Sequence, residues 1–370
     1  MVKSARREIA PRRAPVPRWA LQAGRALAGA SIQIRVIAAN TPRNLREELD
    51  RLGRGFPLRR AEPRFEYERT PLDARLRRTL EDLGDALDAE GALGVVYAAR
   101  ARELAEEAAL CEHAGTPGLW AAARRRYARR DRFDTDADAL AVTWLDEPEA
   151  AAPSPDELPC VRSDDEADPR SLLSRLRREI GRRRLPIRAV VSPNIASLAA
   201  TGDGFVQVVA ARMLSVRDVE RTVLHEIEGH VLPRLASARH RLGIFAVGTA
   251  RGSDDQEGRA LLFERAAGFL DRGRRREIAL RHLAARSVER GASFVSTADL
   301  LVERGAAVPD ALRIAARVHR GGGLGREAVY LPALLRVEAA LERDRGLDQV
   351  LAAGRVSIDA APVLREWVEG

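Results

Sequence analysis

The residues whose types and spacing could do chemistry lie in one stretch, His225-Glu226-Ile227-Glu228-Gly229-His230. Zinc hydrolases hold their metal with two histidines on a helix, beside a glutamate that acts as the general base. The common version spaces the histidines four residues apart, on one helix face. Here they are five apart, which separates them by about 140° on an ideal α-helix. The two side chains can converge only where the helix is locally widened, for example by a π-bulge.

A zinc site also needs a third protein ligand and an open position for water. Gly229, directly before the second histidine, is the residue that tolerates a distorted turn. Glu257, at the start of a later predicted helix, offers a suitable carboxylate. The spacing alone leaves open that these are ordinary structural residues. Four further acidic side chains are candidates for hydrogen bonds that orient the histidines: Glu228, Asp254, Asp255 and Glu264.

Two predicted helices must position these residues. The first begins at Ser215, with Asp218 three residues later in a capping-box arrangement, and Pro233 is expected to end it. The second begins near Ser253 and runs past Phe263. The apolar stripe of the first helix predicts that it packs on a core, and it consists of Val216, Val219, Val223 and Ile227.

Two short β-branched runs precede the first of these helices. They are Ile187–Ser192 and Gly204–Ala210, separated by turn residues. Ser171 caps a basic helix that runs to about Arg184 just before them. Strands followed by amphipathic helices predict an α+β arrangement for this part of the chain.

Composition changes divide the chain into four parts. Residues 1–35 are expected to be a basic, disordered arm, because Arg25 interrupts the apolar run that a signal peptide would need. Residues 36–147 read as helical, and 148–170 as an acidic, Pro-rich linker or loop. Residues 171–370 hold the strands and the histidines, so the catalytic domain is placed there.

Composition also excludes several classes of protein. No stretch of the 370 residues reaches the roughly 18 apolar residues of a membrane span. Two cysteines exclude a disulfide scaffold and a four-cysteine zinc module, which favours a reducing, cytoplasmic location. The net charge is +8, but Lys3 is the sole lysine among 62 basic residues, a bias typical of GC-rich genomes. With only 4% aromatic residues as well, nucleic acid is not the expected partner.

The histidine stretch, followed by Gln256-Glu257-Gly258, resembles a family of non-standard zincins with an HExxxH motif. That family includes the eukaryotic tyrosine carboxypeptidases that detyrosinate the tubulin tail. It also includes the bacterial "flavohemoglobin expression-modulating QEGLA motif" proteins. The likeness spans roughly residues 60–345. Further similar segments are Gly94–Tyr127 (with Tyr97, Ala101-Arg102-Glu103-Leu104 and Gly115-Thr116), Arg320-Gly321-Gly322, and Gly325–Leu331.

The resemblance implies roles for particular residues. His225, His230 and Glu257 would hold one Zn²⁺ per chain, and Glu226 would be the base that activates water. Arg320 and Arg326 would bind the free carboxylate of a substrate, and the Tyr330 hydroxyl would stabilise an oxyanion. In a chain so rich in arginine, either arginine could equally be structural, and Tyr330 could be a core residue.

The sequence departs from the family pattern at three places. Glu228 stands where the family usually has a small residue, and Arg259 replaces the leucine of QEGLA. Arg326-Glu327 replace a Lys-Asp pair. Each change keeps or adds charge, so we expect the metal site to be preserved. The substrate is left open, and a tubulin substrate does not follow from the resemblance.

The sequence thus predicts an α+β, zincin-like metallopeptidase domain packed against a mostly helical N-terminal half. Its expected function is zinc-dependent removal of a C-terminal residue, aromatic by analogy with the family, from a peptide or protein. Gly204–Ala210 is expected to be the edge strand on which the peptide pairs. Three alternatives remain: a non-catalytic, zinc-stabilised peptide-binding protein, a basic nucleic-acid-binding protein, and an endopeptidase.

Overall fold

A computed structural model describes residues 15–57, 61–69, 71–128, 131–148, 160–193 and 195–368. These residues form mostly α-helices with two small sheets, which confirms the α+β expectation. Within the described ranges no helix is long and apolar enough to cross a bilayer.

The elements follow one another with short connections. The helices are α1 (Arg18–Gln33), α2 (Val36–Asn40), α3 (Leu45–Arg54), α4 (Leu76–Leu87), α5 (Gly91–Glu112), α6 (Gly118–Tyr127), α7 (Arg132–Leu145), α8 (Leu172–Arg182), α9 (Val216–Leu224), α10 (Leu232–Ser237), α11 (Ile244–Val247), α12 (Gly252–Ala266), α13 (Arg272–Glu289), α14 (Phe294–Glu303), α15 (Val308–Gly323), α16 (Tyr330–Arg343), α17 (Leu347–Ala352) and α18 (Ala361–Leu364). The strands are β1 (Cys160–Arg162), β2 (Arg188–Ser192), β3 (Ala199–Thr201), β4 (Phe205–Val209) and β5 (Met213–Ser215). A π-helical segment covers His225–Val231, and 3-10 turns cover Arg326–Val329 and Arg365–Trp367.

The three-stranded sheet has the order β2-β4-β3, with β2 parallel and β3 antiparallel to β4. The expectation that Gly204–Ala210 is an edge strand is therefore wrong, because β4 pairs on both sides. Its Val206 and Val208 are fully buried, as expected of a central strand. The preceding segment, too short to stand out in the sequence, folds back and takes the edge as β3.

Two predicted irregular regions contain regular structure. The expected disordered arm is wrong for residues 18–33, which form α1; residues 1–14 lie outside the described part. The helix forms because Ala20, Ala23, Leu27 and Ala30 are buried at helical spacing. The expected linker 148–170 contains β1, whose Val161 is 2% exposed and pairs with Leu214 of β5. Residues 149–159 of that linker lie outside the described part.

The N-terminal helices and the C-terminal helices share hydrophobic cores. One core joins α1, α4 and α5 to residues of α11, α16, α17 and α18. A second core joins α6 and α7 to α12, α13 and α16. The three-stranded sheet has its own core against α8, α9 and the π-helical segment, which places that segment directly under the sheet.

Candidate metal centre

The histidine stretch forms a widened helix. α9 begins at Ser215, whose hydroxyl accepts a hydrogen bond from the Asp218 N–H at 3.0 Å, as predicted. The α-helix then gives way to the π-helical segment His225–Val231, so the predicted widening is confirmed. A π-turn bonds residues five apart, which brings the two histidines to one face. The predicted end at Pro233 is wrong, because this proline lies in the first turn of α10, where its missing N–H is tolerated.

The two histidines and Glu257 converge. Nε2 of His225 lies 3.2 Å from Nε2 of His230, and Glu257 Oε2 lies 3.4 and 3.7 Å from these nitrogens. Nδ1 of His225 donates to Glu264 Oε1 at 2.7 Å, and Nδ1 of His230 donates to Gln256 Oε1 at 3.1 Å. Since both Nδ1 atoms carry their protons, both Nε2 lone pairs are directed at one point.

This arrangement favours a cation at its centre. Glu257 Oε2 is buried and has no hydrogen-bond partner among the described residues. Burial alone would lower the pKa of His225, but the Glu257 and Glu264 carboxylates raise it to about 9. Burial would likewise raise the pKa of Glu257, but His230 and His225 hold it well below its usual range. Two imidazole nitrogens and one carboxylate oxygen form a ligand set that fits zinc.

Glu226 lies beside these groups, on the side of the sheet. It is 6% exposed, and its Oε2 accepts a hydrogen bond from the Thr201 hydroxyl of β3 at 2.7 Å. After burial and Glu257, its negative charge is a further influence on the pKa of His230, so it lies close to that ring. Glu228 instead pairs with Arg183 at 2.7 Å, which neutralises the added charge.

Gly229 is required by packing. Its backbone torsions are not in the left-handed region, but a Cβ there would lie 2.6 Å from the Ala260 Cβ of α12. The glycine therefore lets the π-helical segment touch α12, the helix that carries Gln256, Glu257 and Glu264.

Replacing Gly229 by alanine is expected to lower the free energy of unfolding by about 1–3 kcal/mol and to reduce zinc retention, because the added methyl group pushes His230 away from α12. Chemical denaturation and metal analysis measure the two effects. Gly181→Ala is the matched control, since a Cβ at this helical glycine has open space around it. Equal behaviour of the two variants would show that the close contact is unimportant.

The remaining acidic candidates divide into two groups. Glu264 orients His225, as expected. Asp254 instead faces the N-terminal helices, where its Oδ2 lies 3.2 Å from Nη1 of Arg126. Asp255 is bonded to Arg336 of α16 at 2.6 Å. These two therefore fix α12 against its neighbours, which is a different role from the one predicted.

The N-terminal motif holds the start of α12. Glu103 of α5 accepts a hydrogen bond from the backbone N–H of Arg251 at 2.9 Å, and it pairs with Arg126 at 3.0 Å. Arg126 joins this carboxylate to Asp254 and is 4% exposed. The helix that presents Glu257 is thus fixed by buried charges from α5 and α6. Sequence reasoning noticed the Glu103 motif but missed this contact.

The third motif turns the chain back toward the histidines. α15 loses helical torsions at Arg320, and Gly321 and Gly322 follow with positive φ. A Cβ on Gly321 would lie 1.9 Å from Asn40 Oδ1, and its N–H donates to the Tyr67 hydroxyl at 2.8 Å. Only glycine fits this bend, which delivers the following residues to the metal centre.

The structure brings Arg320, Arg326 and Tyr330 close to the centre, but in different environments. Arg326 Nη2 donates to Glu257 Oε1 at 3.1 Å, so it bonds a candidate metal ligand. Arg320 is 4% exposed, and its Nε has no hydrogen-bond partner among the described residues. Tyr330 is buried, and both its burial and the charge of Glu257 raise its pKa.

Glu327 organises the arginines around this site. It is fully buried and accepts hydrogen bonds from Nε of Arg281 at 2.7 Å and Nη2 of Arg317 at 3.0 Å. Arg320 Nη2 lies 3.7 Å from the same carboxylate. Arg259, the other departure from the family pattern, bonds Asp348 at 2.8 Å. Sequence reasoning missed Arg281 and Arg317, which no local pattern distinguishes from the other arginines.

The α+β fold, the converging histidines and the adjacent Glu226 together define a peptidase. A family described as microtubule-associated tyrosine carboxypeptidase matches residues 58–370, and the chain belongs to that family. The match confirms the resemblance seen in the sequence motifs. Among curated proteins, none matches the chain.

Proposed function

We propose that the protein is a zinc-dependent carboxypeptidase that removes a C-terminal residue from a peptide or protein. One observation carries the proposal: two Nε2 lone pairs and the partnerless Glu257 Oε2 converge beside a buried glutamate. Zinc held by His225, His230 and Glu257 would supply a Lewis acid for the scissile carbonyl and the attacking water. Membership of a carboxypeptidase family supports the same reaction.

The chain's own groups perform the proton transfers. Glu226 accepts a proton from the attacking water and delivers it to the leaving amine. β3, the edge strand beside Glu226, offers a backbone edge to an extended peptide, in place of the central β4 that the sequence suggested. The Tyr330 hydroxyl is proposed to stabilise negative charge on the carbonyl oxygen.

Arg320 is the proposed anchor for the terminal carboxylate. Burial lowers the pKa of Arg320 to about 10, so the guanidinium stays charged at neutral pH. Its partnerless Nε is free to donate to a carboxylate. Arg326 is assigned instead to orienting Glu257, since it already bonds that residue. The family name supports an aromatic C-terminal residue, tyrosine in particular, as the group removed.

We expect the protein to shorten peptides with a free C-terminal carboxylate and to leave their amidated forms intact. Arg320→Gln should raise KM for the free-acid peptide by about 10- to 100-fold, because a charged hydrogen bond is lost. Chromatography of the products measures both effects. Arg265→Gln, which removes a half-exposed arginine of α12, is the control. Equal cleavage of amidated and free-acid peptides would identify an endopeptidase instead.

A further inference from the structure

Thr201 of β3 contacts the proposed base directly. Its hydroxyl donates to Glu226 Oε2 at 2.7 Å, although 25 positions separate the two residues. In the antiparallel register Thr201 lies opposite Val206, which is fully buried. Cross-strand partners share a face of the sheet, so the Thr201 side chain lies on the buried face, above the π-helical segment.

The backbone of the same residue faces a different direction. Gly202 N–H bonds Phe205 C=O at 2.8 Å, and Val209 N–H bonds Leu198 C=O at 2.9 Å. Since bonding alternates along an antiparallel strand, residues 198, 200 and 202 bond β4. The N–H and C=O groups of Ala199 and Thr201 therefore face the outer edge, where a peptide would pair.

We propose that Thr201 is a positioning residue, which holds one oxygen of Glu226 so that the other faces the reacting water. The inference rests on the proposed function and deepens it, because Thr201 also offers its backbone to the peptide. A glutamate side chain has three rotatable bonds, and one hydrogen bond from a rigid strand selects a single arrangement. Peptide docking on β3 and placement of the base thus depend on the same residue.

Two substitutions separate the hydroxyl from the shape of the side chain. Thr201→Val keeps the shape and removes the hydroxyl, so kcat on a free-acid peptide should fall by about 10- to 100-fold with KM nearly unchanged. Thr201→Ser keeps the hydroxyl and should restore most of the lost kcat. Thr143→Val, the same change on the exposed face of α7, is the control. An unchanged kcat in Thr201→Val, or equal losses in the valine and serine variants, would overturn the proposal.

A second readout does not use activity. On the protein as purified, Thr201→Val should lower the melting temperature by about 2–4 °C when Glu226 is present. In a Glu226→Met background, which has no acceptor, the same change should have no such cost, because coupled residues are non-additive. Additive shifts would overturn the contact. A wild type that cleaves no peptide would refute the carboxypeptidase proposal, and the melting shifts would still decide whether Thr201 holds Glu226.

Discussion

Replacing Glu226 by glutamine is expected to reduce kcat on a free-acid peptide by about 10³-fold while zinc stays bound. Glutamine has the same shape, and its carbonyl oxygen can accept the hydrogen bond from Thr201. Its amide cannot accept the proton that the attacking water must lose. Steady-state kinetics and metal analysis on the same preparation measure the two quantities together.

Glu228→Gln is the matched control for this variant. Glu228 is two residues further along the same π-helical segment, and its carboxylate pairs with Arg183 of α8. We expect the control to keep its zinc and most of its activity. Full activity in Glu226→Gln would refute the assignment of the base. A zinc-bound wild type that trims no peptide would favour the non-catalytic peptide-binding alternative.

Replacing His230 by alanine is expected to lower the zinc content from about one ion per chain to none. The change leaves one imidazole and one carboxylate, too few for the three protein ligands of a catalytic zinc site. Because a ligand that binds only the native state stabilises it, the wild type should also melt at a higher temperature than the variant. Mass spectrometry of the metal and thermal melting in the presence and absence of a chelator measure these effects.

His240→Ala is the control for the histidine variant. The His240 ring packs on Phe245, with the ring centroids 4.4 Å apart, and it is not one of the three converging ligands. This variant should keep its zinc. A wild type that retains no zinc after zinc is offered and dialysed away would refute the metal-dependent mechanism.

Local sequence was sufficient for the features that depend on neighbouring residues. The five-residue spacing of His225 and His230 requires a widened turn, and the structure has a π-helix there. Ser215 caps α9 through Asp218, as its spacing predicted. Glu257 could be proposed because it lies near the start of the next helix. These features follow from helix geometry and capping, which act over a few residues.

The tertiary structure alone decided which groups surround those ligands. Thr201 reaches Glu226 because the segment 199–201 takes the edge of the sheet, and strand order cannot be read from residue spacing. Arg326 bonds Glu257, and Arg126 bonds Asp254, across 69 and 128 positions of the chain. In a sequence so rich in arginine, charge alone does not distinguish these residues from solvated ones. Burial distinguishes them, because a buried guanidinium needs a carboxylate partner, and only the packed helices bring the partners together.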